Sequence, residues 1–164
     1  FNTKAVVEGE EASADISGLI GQYAHGNEPS HHIIYLYNYI NKANKTQELA
    51  DKIMSDQYRN APDGLSGNED CGQMSSWYIF NALGFYQVAP GDPTYTISRP
   101  LFDKATIALE NGKQLVIKAL NNNANNKYVA SVSLNGKVLK TPFFKHSQIV
   151  NGGELVFNMT NKKQ

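Results

Sequence analysis

CGQMSSWYIFNALGFYQVAPGDPTYTIS, residues Cys71–Ser98, contains the change of period that decides the fold. From Cys71 to Leu83, Met74, Trp77 and Tyr78 recur with helical spacing and Phe80 joins them, which predicts a helix. Gly84 stands where a left-handed C-terminal cap belongs. Pro90-Gly91-Asp92-Pro93 then interrupts the chain, and Thr94–Ser98 predicts a strand.

Upstream of this junction the pattern is helical. Residues 1–26 are rich in Gly, Ala, Ser and acids, with a short apolar turn around Ile16, Leu19 and Ile20. Pro29 and Ser30 read as start signals for a helix to about Asn41, which Ile33, Ile34, Tyr35, Leu36, Tyr37, Tyr39 and Ile40 nearly encircle. A helix apolar on all sides is normally buried in a larger body. A second helix is expected over Thr46–Tyr58, with Thr46 as N-cap and Leu49, Ile53 and Met54 on one face. Ala61-Pro62-Asp63-Gly64 makes a turn.

Downstream the period is two. Ala105–Leu109 and Lys113–Ala119 flank Asn111-Gly112, which predicts a type I′ hairpin, and Asn135-Gly136 predicts another. Residues 121–126 form a polar asparagine loop between these pairs. Tyr128, Ala130, Val132 and Leu134 alternate, and a last strand carries Leu155, Phe157 and Met159 on one face. Helices followed by strands define an α+β class with a small antiparallel sheet or sandwich.

Composition narrows the function. Fifteen basic residues balance fifteen acidic ones, which argues against a protein that works by neutralising nucleic-acid phosphates. No run of eighteen apolar residues is present, so no membrane span is expected. Cys71 is the lone cysteine, which rules out an intrachain disulfide and an all-cysteine zinc site. The chain opens at Phe1 with no targeting pattern and reads as a piece cut from a longer protein.

Two loops collect the reactive side chains, each just ahead of a helix: His25-Gly26-Asn27-Glu28-Pro29-Ser30-His31-His32, and Gly64-Leu65-Ser66-Gly67-Asn68-Glu69-Asp70-Cys71-Gly72. In the second, glycines let the backbone turn tightly around the acids. The N-terminus of the following helix should keep Glu69 and Asp70 ionised, as a base that takes a proton from water requires. A plain structural role fits the spacing equally, with Asp70 as N-cap and Glu69 solvated beside it. In the first loop, Asn27 and Glu28 offer hard oxygen ligands of the kind calcium or magnesium takes. His31 and His32 point about 100° apart on a helix and do not clasp one metal, so one surface residue and one satisfied by a neighbour is the plain alternative.

Taken together, DISGLIGQYAHGNEPSHHIIYLYNY (Asp15 to Tyr39) and GLSGNEDCGQMSSWYIFNALGFYQVAPGDPTYTISRPLF (Gly64 to Phe102) resemble the closing portion of glycoside hydrolase family 92. The resemblance covers essentially the whole chain. It implies a C-terminal piece of a calcium-dependent, inverting exo-α-mannosidase acting on α-mannoside glycans, with α-1,2 the expected linkage. It also implies that residues 1–92 supply the last helices of an (α/α)6 barrel and residues 93–164 a C-terminal β part. Asp70 falls on the position of the general base, while Asn68 stands where many relatives carry an aspartate. Glu28 matches the acid of the family's Asn-Glu-Pro loop. Asn27 and Glu28 are assigned to calcium, and Glu28, His31, His32, Asn68 and Glu69 to the sugar. The family's general acid lies in an earlier region that no stretch of this chain matches, so the piece alone is expected to be inactive. A bacterial periplasmic, secreted or cell-surface location is implied for the whole protein. Two rivals stand beside this reading: a non-catalytic carbohydrate-binding module, and a structural piece that self-associates through its apolar helices.

Overall fold

A computed structural model describes residues 1–3 and 17–163. Leu19–Ile20 (β1) and Tyr23–Ala24 (β2) form a short antiparallel hairpin, whereas Ile16 lies outside the described residues. The helix expected over Ser30–Asn41 is broken into 3-10 turns at Glu28–Ser30 and Ile33–Tyr35 and one α-turn, Leu36–Tyr39 (α1). This run of β-branched and aromatic residues has weak helix propensity, and tertiary contacts override it. Asn38 donates to Thr96 Oγ1 (2.6 Å) and to the Ile97 carbonyl (2.7 Å), tying the turn to a strand. The segment is also not buried all round, since Leu36, Tyr39 and Ile40 are exposed.

The second helix spans Ala43–Asp56 (α2), three residues earlier than expected. Thr46 lies inside it rather than at its cap, and its hydroxyl donates to the Ile34 carbonyl at 2.8 Å. The third spans Gln73–Leu83 (α3) and ends at Gly84 with φ 93°, the left-handed cap read from the sequence.

Gly84 turns the chain straight into Phe85–Gln87 (β3), which the sequence pattern did not distinguish. This strand pairs antiparallel with Thr94–Ile97 (β4), which pairs with Phe143–Lys145 (β9). The larger sheet contains Lys104–Ala108 (β5), Gln114–Leu120 (β6), Tyr128–Leu134 (β7), Lys137–Val138 (β8) and Gly153–Thr160 (β10). Its order is β5-β6-β10-β7-β8. All neighbours are antiparallel except β6 and β10, which run parallel, so the sheet is mixed rather than purely antiparallel.

At Asn135-Gly136 both residues take positive φ, as a type I′ turn requires. At Asn111-Gly112 only the glycine does, and the Asn111 side chain accepts from Lys113 N–H, so this loop is not type I′. A bulge opposite Asn158 and Met159 shifts the alternation of β7. Val129 then joins Val132 and Leu134 on the core side, and Ala130 is exposed.

Two apolar clusters result. One lies under the sheets around Phe85, Phe144, Leu155 and Phe157; the other, around Ile34, Tyr35, Ile53 and Trp77, joins the helices to β1 and β2. Polar bonds tie α2 to the larger sheet, including Gln47 Oε1 to Val129 N–H (3.0 Å) and Tyr128 O–H to Glu48 (2.8 Å). Among the described residues no helix is long and apolar enough to cross a membrane.

Candidate active site

The two loops singled out from sequence meet. The second loop rises from α2 and reaches α3 through three successive left-handed residues, Asp70 (φ 48°), Cys71 (58°) and Gly72 (90°). Left-handed backbone costs roughly 1–2 kcal/mol at each non-glycine residue and is held only where the surroundings impose it. The turn puts Asp70 ahead of the helix rather than on it, since Gly72 is the N-cap. Glu69 does the capping: Ser75 N–H donates to its Oε1 at 2.9 Å and Ser75 O–H to its Oε2 at 2.6 Å. Neither the N-cap role for Asp70 nor the solvated Glu69 describes this arrangement.

The first loop is held from beneath by a chain of hydrogen bonds whose directions follow from one another. Tyr58 O–H donates to the Met74 carbonyl (3.0 Å), so its oxygen accepts from His25 Nε2–H (2.7 Å). His25 Nδ1 is therefore the acceptor for Tyr23 O–H (2.8 Å). His25 is fully buried, and burial, with His31 beside it, lowers its pKa to about 3. His31 is also buried; its Nε2–H donates to the His25 carbonyl (2.9 Å), and burial lowers its pKa as well. Its remaining nitrogen, Nδ1, accepts from Gln73 (3.0 Å). His32 is exposed. The adjacent histidines thus diverge, one satisfied and one at the surface.

On this base, Asn27 and Glu28 face Asn68 and Asp70 across a polar hollow of about 350 Å³, with Ser17, Gly26 and Gly67 completing its wall. The Asp70 carboxyl is hydrogen-bonded to Glu28. That bond first, then burial and the Glu28 charge, raise its pKa above the ordinary carboxylate value. The shift runs against the effect expected from the helix terminus, and its first cause is the Glu28 carboxyl.

The hollow has the donor chemistry of a hard cation. Its side-chain lining is rich in oxygen, and Ser17 Oγ is buried with no hydrogen-bond partner. Two carboxyl groups in contact repel unless a proton or a cation lies between them. The residues present fit part of a calcium shell, which takes six to eight oxygens. No group of three His, Cys, Asp or Glu side chains close enough to hold a metal occurs among the described residues.

A second hollow of about 450 Å³ adjoins the first, with Glu28 in both walls. His31 and His32 line it with Gln73, Phe80 and Tyr86. Ser17, Gln73 and Tyr86 had no signal in the sequence, and neither did the roles of His25 and Tyr58. The partners His25 and Tyr58 stand 33 residues apart, so only the fold reveals them.

A carboxyl group beside a sugar-sized hollow is compatible with the general base of a glycoside hydrolase. The model of the glycosyl hydrolase family 92 catalytic domain matches residues 3–161, and the chain belongs to that family. A family 92 α-mannosidase from Bacteroides thetaiotaomicron superposes with a TM-score of 0.84 at 44% identity, over 90% of this chain and 20% of that one. A family 92 inverting mannosidase from Bacteroides thetaiotaomicron VPI-5482 gives 0.78 at 44% identity, over 87% and 19%. An uncharacterized secreted glycosidase of Arthroderma benhamiae is 29% identical over 133 residues, 79% of this chain and 17% of that protein. The chain therefore spans about a fifth of the length of these relatives.

Proposed function

We propose that this chain is the C-terminal part of a secreted exo-α-mannosidase that hydrolyses α-mannosides of glycans with inversion, α-1,2 bonds first, and that Asp70 is its general base. The observation that carries the reading is the Asp70–Glu28 pair, set on a left-handed turn inside an oxygen-lined hollow. The similarity to two mannosidase structures at 44% identity supports the substrate class. The similarity to a secreted glycosidase supports the location.

In such a reaction Asp70, as carboxylate, takes a proton from a water while that water's oxygen bonds to the anomeric carbon. The bond to the leaving oxygen breaks on the opposite face, and that oxygen receives a proton from a general acid. Inverting enzymes hold the two carboxyl groups roughly 6.5–9.5 Å apart to leave room for the water. Glu28 interacts directly with Asp70, which does not suit the acid of such a pair, and we assign it to the cation instead. We assign the acid, as the sequence resemblance implies, to a region of the family that no stretch of this chain matches, and on that assignment the chain alone releases no mannose.

Asn27 and Glu28 would hold calcium, with Asn68 and Asp70 facing them. Bound there, the cation supplies positive charge that keeps both carboxyls ionised and polarises sugar hydroxyls. His31 serves by fixing the loop, with both ring nitrogens engaged. The helical order of residues 28–83 and the strands from 94 to 160 support barrel helices within 1–92 and a closing β part in 93–164, with β3 reaching across that boundary to pair with β4.

The test is mannose release from α-mannobiose isomers by the full-length protein, with and without a chelator, the product followed by proton NMR. β-Mannose appearing first, and only with calcium present, is expected. α-Mannose first, or binding without release as for a carbohydrate-binding module, overturns the reading.

A further inference from the structure

The loops that carry Glu28 and Asp70 cross at two glycines, and no side chain fits between them. A Cβ added at Gly67 would lie 2.7 Å from the Gly26 carbonyl oxygen and 3.0 Å from the Gly26 Cα, so the two backbones are in contact. A Cβ added at Gly26 would lie 2.6 Å from the Ser66 carbonyl oxygen and closer still to Ser17 Oγ. The neighbours are not free to yield. Gly26 N–H donates to the Ser17 carbonyl (3.1 Å) and His25 N–H to the Gly18 carbonyl (3.0 Å), which pins the first loop. Ser66 O–H donates to Gln57 Oε1 (2.7 Å), which pins the second loop to the end of α2. The glycines differ in one respect. Gly67 has φ 92°, in the left-handed region, whereas Gly26 lies outside that region and is needed for the close approach alone.

Asn27 and Glu28 follow Gly26 directly, and Asn68 follows Gly67 with Asp70 two residues further on. A shift at the crossing therefore passes straight to the groups that face each other over the hollow. We infer that Gly26 and Gly67 are positioning residues, whose backbone contact sets the separation of the Glu28 and Asp70 carboxyl groups. Ser17 Oγ is buried without a partner and stands against both places where a Cβ would go, so it limits how far the loops can give. The part of the inference that concerns rate rests on the reading of Asp70 as the base of a mannosidase; the part that concerns spacing does not.

The test uses the full-length protein and Gly26→Ala, which adds one methyl group and no left-handed strain. Misplacing a catalytic group by about 1 Å costs on the order of 10² in rate. The kcat for mannose release from α-mannobiose, per folded protein, is expected to fall about tenfold to a hundredfold. Gly91→Ala, at a left-handed glycine with open space around it, should cost stability and leave kcat unchanged. Ser17→Ala removes the nearest clashing atom, so adding it to Gly26→Ala should restore part of the lost kcat. Gly67→Ala meets the Gly26 backbone itself, and Ser17→Ala should not rescue it. Should Gly26→Ala fail to fold, Gly67→Ala and the double variant are read in the same way. Wild-type kcat in folded Gly26→Ala or Gly67→Ala overturns the inference. A crystal structure of the variant is expected to show the Glu28 and Asp70 carboxyls further apart, and an unchanged separation overturns the inference whatever the activity. A wild-type protein that releases no mannose overturns the mannosidase reading, and the structural comparison then decides the crossing by itself.

Discussion

His25 is neutral in the folded chain because both ring nitrogens are committed, one to Tyr58 and one to Tyr23. Burial holds its pKa near 3, whereas an unfolded histidine titrates near 6.5. Between those values the unfolded chain binds a proton that the folded chain refuses. The contribution is thus complete above about pH 6.5 and is lost as pH falls towards 3. Urea unfolding from pH 7 to pH 4 should show stability falling by up to about 1.4 kcal/mol per pH unit below pH 6. His25→Gln should flatten that slope, and an unaltered slope would assign it to other groups. Asp70 works in the opposite sense, because its raised pKa relieves repulsion with Glu28 as pH falls. Its side chain is open to solvent on one side, which screens the effect.

At the scale of elements, Gly84 joins helix to sheet. Its φ is 93°, and an added Cβ would lie 2.7 Å from Cζ of Phe157, a buried core residue. Gly91 has a similar φ of 85° but open space around it. Chemical denaturation should show Gly91→Ala costing about 1–2 kcal/mol, the left-handed penalty alone. Gly84→Ala should cost a further ~1–3 kcal/mol for overpacking; equal costs would mean that Phe157 does not report on this junction. The cap was legible because it depends on one residue and its neighbours, and so was the Asn135-Gly136 turn. The parallel pairing of β6 with β10 was not, since it joins segments some 38 residues apart and leaves no local mark (Leu115 opposite Gly153). The run from Ile33 to Ile40 misled for a related reason. Its spacing suits a helix, but Asn38 bonds to Thr96 and Ile97, far along the chain. The site divides the same way. Asn27, Glu28, Asn68 and Asp70 stand in motifs and could be named, while the contact between Glu28 and Asp70 and the Gln73–His31 bond are products of folding.

The whole molecule is a fifth of the length of its relatives, and its surface is consistent with that. Leu36, Tyr39, Ile40, Ile79 and Phe102 are all exposed. Apolar residues left uncovered favour association. Sedimentation of the isolated chain should show a mass that rises with concentration, and a constant monomer mass would count against uncovered interfaces. If the general acid lies outside this chain, as proposed, the chain alone should release no mannose, since such an acid is worth about 10²–10⁴ in rate. The most direct measurement is the initial rate of mannose release from α-mannobiose by the full-length protein, wild type against Asp70→Ala. A fall on the order of 10²–10⁴ is predicted, with KM altered far less. A variant that keeps the wild-type rate would remove Asp70 from the chemistry and contradict the account.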